Sequence, residues 1–246
     1  MKPRQLRWTL VVCLAAAAIG ARADIIVDYV IDAGGNNTDP LNGLAARASF
    51  MLDGMQLAIL LENTSTGVPL SFETSDSLLV SLGMNLPGGA AIVVGNAAYI
   101  GPGSQGLGSW AGRTAGDSVG EQWIWTNDFG GDLLEGWAQV LSTSDGQGGG
   151  PVTRFDGGSG SVNGPYGGIA ANPPLLTVPG SKPAVSNSIL FSLTLSRALT
   201  EAELAETALT SIVEFGSDAR YLVHAPEPAG VLLVLLGAAL CRRRTA

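Results

Sequence analysis

Cysteine is nearly missing from this chain of 246 residues: Cys13 and Cys241 are the only two, and both sit in apolar stretches close to the ends. The long stretch between them therefore has no disulfide framework, thiolate nucleophile or cysteine metal centre. Histidine is scarcer still. His224 stands alone, which removes His-rich metal centres and most histidine acid–base mechanisms. Basic residues are few as well, with 6 between Asp24 and Ala225 against 20 acidic ones, a formal charge of about −14. That body lacks the cationic footprint that releases counterions, so nucleic acid and anionic membrane surfaces are disfavoured as partners.

Long apolar runs are also lacking, and the two short ones that exist are informative. Lys2, Arg4 and Arg7 precede an apolar stretch from Trp8 to Ile19, and Ala21-Arg22-Ala23 follows with the small-x-small pattern of a signal-peptidase site. The expectation is a signal peptide over 1–23, exported by the Sec machinery and cleaved to leave Asp24 as the mature amino terminus. The second run, Ala229–Cys241, has 13 residues; as a helix it reaches only about 20 Å against a hydrocarbon core of about 30 Å. Arg242, Arg243 and Arg244 follow it, and the positive-inside rule keeps them cytoplasmic with everything before Ala229 outside. Pro226-Glu227-Pro228 precedes it, and the two prolines hold that segment extended and apart from any following helix.

This three-part ending, "PEP", a short apolar run and an arginine cluster, resembles the PEP-CTERM sorting signal of Gram-negative bacteria. The resemblance covers residues 224–246 and implies processing by an exosortase at the inner membrane. It implies a short membrane helix over 229–241, a basic tail over 242–246, and delivery to the cell surface or an extracellular polysaccharide matrix. A glycolipid-anchor signal would have a polar spacer and no arginine terminus.

The body, 24–223, is long enough for one domain with a sizeable core. It shows little helical period and many short apolar, β-branched runs bounded by Gly, Pro, Asn and Asp, which reads as all-β, a β-sandwich of jelly-roll type. Strands are expected at Ile25–Ile31, Ala46–Leu52, Met55–Glu62, Ser77–Asn85, Ala90–Ile100, Gln122–Asn127, Leu133–Leu141, Ser188–Ser196 and Thr210–Phe215. The second and third form a hairpin with a type I′ turn at Asp53-Gly54. One short helix near the carboxy-terminal end of the domain is expected from the capping box Thr200-Glu-Ala-Glu203. The glycine- and serine-rich stretch Ser142–Gly168 is expected to be a long irregular loop.

Several motifs are matched by letter only. Gly101–Gly106, "GPGSQG", fits G-x-G-x-x-G, but the two glycines that follow soon after argue against the helix a dinucleotide site needs, and a mobile loop is expected. Gly116–Gly120 fits the nucleophile-elbow pattern around Ser118, without the flanking strand and helix. Glu121, Asp128, Asp132 and Glu135 lie close in sequence and read as solvated acids, although two facing carboxylates would suffice for a carbohydrate-active enzyme. Trp123 and Trp125 share one face at the two-residue period; as an open face they offer a stacking surface for sugar rings, as a closed one they are core, and core is expected. Asp32, Asn36, Asn37, Asp39 and Asn42 gather hard oxygen donors suited to calcium, in an order that departs from the EF-hand and is ordinary in turns. No cofactor or catalytic residue is assigned. The expected function is that of a non-catalytic exported protein, the alternative a carbohydrate-binding module or carboxylate-dependent carbohydrate-active enzyme.

Overall fold

The computed structural model describes residues 23–34, 39–128, 136–143, 153–158, 167–216 and 219–224. Alternation of apolar and polar side chains builds the first layer. In β2 (Ala46–Asp53) Ala46, Ala48, Phe50 and Leu52 turn inward, and in β3 (Gln56–Asn63) Leu57, Ile59 and Leu61 do so. Burying each of the larger side chains stabilises the fold by about 1.5–3 kcal/mol. The two strands pair from Ala46↔Asn63 to Asp53↔Gln56, which leaves Gly54-Met55 as the loop. Gly54 has φ +60°, while Met55 is not among the positive-φ residues. This is the type II′ arrangement, one residue along from the expected type I′ turn. Asp53 stays extended and paired, and the single positive φ falls on the one residue that takes it without steric cost.

β1 (Ala23–Asp32) pairs with β2 over Ala23–Tyr29, and β12 (Ser188–Leu195) lies between β3 and β5 (Ile92–Ile100). The first layer is thus β5-β12-β3-β2-β1, antiparallel throughout. At a bulge between Tyr29 and Ile31, β1 changes partner to β14 (Arg220–His224). The last strand, β14, thus lies beside the first, on the side of β1 away from β2. From β14 the sheet runs on through β13 (Ile212–Phe215) to β4 (Leu79–Met84). Against Ser81–Met84, β4 carries β8 (Gln139–Ser142), which leads to β7 (Ile124–Thr126) and β9 (Thr153–Arg154). Against Leu79 it carries β10 (Ile169–Ala170), which leads to β11 (Pro183–Ser186) and β6 (Gly106–Gly108).

The result is an all-β sandwich whose sheet continues from one layer to the other through β1, which pairs with β2 on one side and β14 on the other. The layers meet where Trp123, just before β7, packs edge-on against Phe191 of β12 at 4.9 Å, with Phe155 on the same ring at 5.4 Å. One helix, α1 (Glu201–Leu209), begins at the expected capping box: Glu203 N donates to Thr200 Oγ1 at 3.2 Å and Thr200 N to the Glu203 carboxylate at 2.8 Å. Its buried Leu204, Thr207 and Ala208 face the sheet beside β1 and β2. Among the described residues no helix is long and apolar enough to cross a membrane.

Two sequence expectations change here. β14 continues through His224, which pairs with Tyr29, so the folded body extends one residue past 223. The 142–168 stretch contains β9, paired to β7, within its described part.

Candidate functional site

The register of the second layer brings together four polar side chains that sequence spacing does not connect. Tyr221 of β14 lies opposite Glu214 of β13, Glu214 opposite Ser81 of β4, and Ser81 opposite Ser142 of β8. Ser81 Oγ donates to Glu214 Oε2 at 2.6 Å, Tyr221 OH donates to Glu214 Oε1 at 3.2 Å, and the Ser81 and Ser142 hydroxyls are 2.7 Å apart. All four residues are buried. Hydrogen bonds to a charged acceptor contribute about 1.5–3 kcal/mol each, enough to offset much of the cost of taking one carboxylate out of water. In chemical terms this row resembles an activated serine, with Ser81 hydrogen-bonded to a carboxylate. Ser81 has no solvent exposure, so the hydroxyl that a substrate would have to reach is inside the sheet. The arrangement ties four strands into one register. The strands carrying Glu214 and Ser81 were legible in the sequence, but their pairing was not: Ser81 lies 133 residues from Glu214 and 61 from Ser142, and Tyr221, seven residues from Glu214, sits on a strand that was not expected.

Buried charge appears a second time at Arg220, whose side chain is 1% exposed. It forms an ion pair with Asp32 and donates to the Asp39 carbonyl at 2.5 Å, while among the described residues its buried Nε has no partner. The Asp39 carboxylate accepts from Ser71 at 2.6 Å, and Asp32 Oδ1 accepts from Gly34 N at 2.9 Å. Asp32 and Asp39 of the proposed oxygen-rich loop therefore serve Arg220 and Ser71, and Asn42 forms a left-handed turn with φ +48°; Asn36 and Asn37 lie outside the described residues. Among the described residues no group of three or more His, Cys, Asp or Glu side chains could hold a metal ion.

The tryptophan pair faces the interior. Trp123 has no exposure and belongs to the main core, and Trp125 packs against that core over Gly95, where an added Cβ would lie 2.3 Å from the indole. The Trp123 indole is thus no sugar platform, and a stacking face shared by Trp123 and Trp125 does not exist. Of the clustered carboxylates, Glu121 pairs with Arg113 at 2.6 Å and Asp128 is exposed, with its N–H bonded to Thr126; Asp132 and Glu135 lie outside the described residues.

Ser118 is an exposed turn residue bridged to Tyr99, and the lone His224 contacts the Asp28 carbonyl of β1 at 3.3 Å. Gly101–Gly106 is a turn pinned to β12 rather than a mobile loop: Gly101 N donates to Ser188 O at 2.9 Å, and the Ser104 and Ser188 hydroxyls are 2.9 Å apart. No helix follows it.

The sorting residues Pro226, Glu227, Pro228, Arg242, Arg243 and Arg244, and Ala21 of the signal-cleavage site, lie outside the described residues. Ala23 and Asp24 begin β1, opposite Leu52 and Met51.

The arginines account for nearly all the cationic charge of the body, and every one is used internally. Arg47 meets Asp28 at 2.7 Å, Arg113 meets Glu121, Arg154 meets Asp156 at 3.0 Å, Arg197 meets Glu203 at 2.6 Å and Arg220 meets Asp32. Lys182 is the remaining cation between Asp24 and Ala225, and among the described residues it has no carboxylate partner.

The fold and these clusters define an all-β sandwich with two buried polar networks, one around Glu214 and one around Arg220. No protein-family model matches the chain, and no curated protein or solved structure does.

Proposed function

We propose that this chain is a non-catalytic exported protein, delivered through the Sec machinery and signal peptidase and then sorted by an exosortase to the cell surface or the extracellular polysaccharide matrix. The observation that carries this reading is the order Pro226-Glu227-Pro228, Ala229–Cys241, Arg242–Arg244, starting two residues after the end of β14. The apolar run is too short for an unstrained span, and moving three arginines across the bilayer is costly, so the tail holds the motif at the outer face of the inner membrane as a transient substrate. The absence of cysteine from the body and its acidic charge suit an exported, well-solvated domain.

The test is processing in a host that has the exosortase. Glu227→Ala, or Arg242–Arg244 replaced by Ser, leaves the signal peptide cleaved but retains the full-length tail in the inner membrane. Normal surface delivery of both variants overturns the sorting reading and leaves the tail as a generic anchor.

A further inference from the structure

Between the loop after β3 and the loop before β11 lies an open groove of about 430 Å³, lined by Phe72, Glu73, Thr74, Ser75, Leu176, Pro179 and Lys182. That volume is in the range of small-molecule sites and accommodates one or two sugar rings. The groove holds Lys182, the one cation of the body without a carboxylate partner among the described residues.

Its walls are fixed by specific contacts. Thr74 Oγ1 donates to the Thr177 carbonyl at 3.1 Å, joining the two loops. Asp76 accepts from Glu73 N at 2.9 Å and closes the turn that carries Glu73. On the other side Lys182 N donates to Pro179 O, and Lys182 O accepts from Ser109 N, both at 3.0 Å. That turn lies directly on Gly108 of β6, where an added Cβ would be 1.8 Å from Lys182 O. The lysine backbone is therefore seated against a position that admits only glycine.

We propose that this groove binds a carboxylate-bearing sugar unit, of the uronic-acid kind, within a polysaccharide that also contains neutral sugars. Lys182 supplies one positive charge, which matches one carboxylate and is too little for a dianionic phosphate in a body of about −14. Glu73, exposed and without an ion-pair partner among the described residues, accepts hydrogen bonds from ring hydroxyls, and the Ser75 hydroxyl adds a donor and acceptor. Phe72, Leu176 and Pro179 give an apolar wall for the C–H face of an aliphatic ring. The net charge of the body disfavours an unbroken polyanion, which is why the acidic unit is placed among neutral ones. The proposal rests on the reading of an exported, matrix-associated protein and supplies its ligand class.

The experiment is calorimetric titration of the full chain in detergent with glucuronosyl-glucose and with cellobiose, which differ at the carboxylate. The acidic disaccharide is expected to bind at least tenfold tighter, with the difference shrinking as salt rises. Lys182→Gln brings its affinity to the cellobiose level, Lys182→Arg keeps it within about threefold, and Glu73→Gln weakens both sugars. Equal affinity for the two disaccharides, no binding of either up to about 10 mM, or indifference to Lys182→Gln overturns the proposal. Equally tight binding of a hexaglutamate peptide overturns the saccharide assignment. The Glu227→Ala chain binds the acidic disaccharide normally whatever its sorting fate, so failure of the site and failure of the sorting reading are separate results.

Discussion

Replacing Asp32 by Asn isolates the buried guanidinium of Arg220 with almost no change in shape. Arg220 is 1% exposed and Asp32 34% exposed, so the substitution leaves a full positive charge inside the fold with the Asp39 carbonyl as its remaining acceptor among the described residues. Breaking a buried pair costs about 3–5 kcal/mol. Because Asp32 reaches solvent, and an amide oxygen still accepts from Gly34, the expected loss is nearer 2–3 kcal/mol. For a body of this size that lowers Tm by about 5–10 °C. Asp28→Asn is the control: the Asp28–Arg47 pair is 44% and 45% exposed, and its loss costs at most about 0.5 kcal/mol. Urea unfolding with an unchanged slope measures both. Arg220→Met is expected to cost less than Asp32→Asn, because it removes the buried charge itself and leaves behind only Asp32, whose side chain is 34% exposed and reaches water. Equal shifts for Asp32→Asn and Asp28→Asn, or a larger loss for Arg220→Met, would refute the reasoning.

Trp123→Ala empties the contact between the layers and is expected to cost about 3–5 kcal/mol in denaturant unfolding; a loss under 1 kcal/mol would mean that the indole is not in the core. Ser81→Ala removes a donor to the buried Glu214 and should cost about 2 kcal/mol, whereas the same change at the exposed Ser118 should be neutral in the same assay. Gly108→Ala forces the Lys182 turn away from β6 and is expected to lower both thermal stability and affinity for the acidic disaccharide, with unchanged affinity counting against the seated-lysine geometry. The Arg197 hydrogen bonds, followed by those of Thr200, lower the Glu203 carboxyl from its ordinary 4.5 to about 2. Because the folded value is the lower one, this contribution is present above pH 4.5 and is lost as pH falls toward 2. Acid titration by circular dichroism should show that loss in the wild type and not in Glu203→Gln.

What the sequence alone determined is what depends on neighbours along the chain. The hairpin arms Ala46–Leu52 and Met55–Glu62, and the long strands around Val94 and Phe191, follow from period-two alternation between turn residues, because each strand buries one face. The start of α1 follows from Thr200 and Glu203, which satisfy each other's backbone donors within one turn. The tail motif and the lack of body cysteine are likewise local facts, readable without a fold.

Tertiary structure decided what depends on pairing. No strand was expected over Arg220–His224, yet β14 is held on both sides by β1 and β13. β6, β10 and β11 are too short to show a period and exist because their neighbours' backbone groups need partners. The side on which Trp123 lies was undetermined until β7 was set over β12. Glu214, Ser81, Ser142 and Tyr221 are brought into one row by register alone, and Lys182 became distinctive only when each arginine was seen to have its carboxylate. A one-residue slip in any of these pairings would turn the row's side chains to the opposite face, which is why no reading of spacing along the chain could have assembled it.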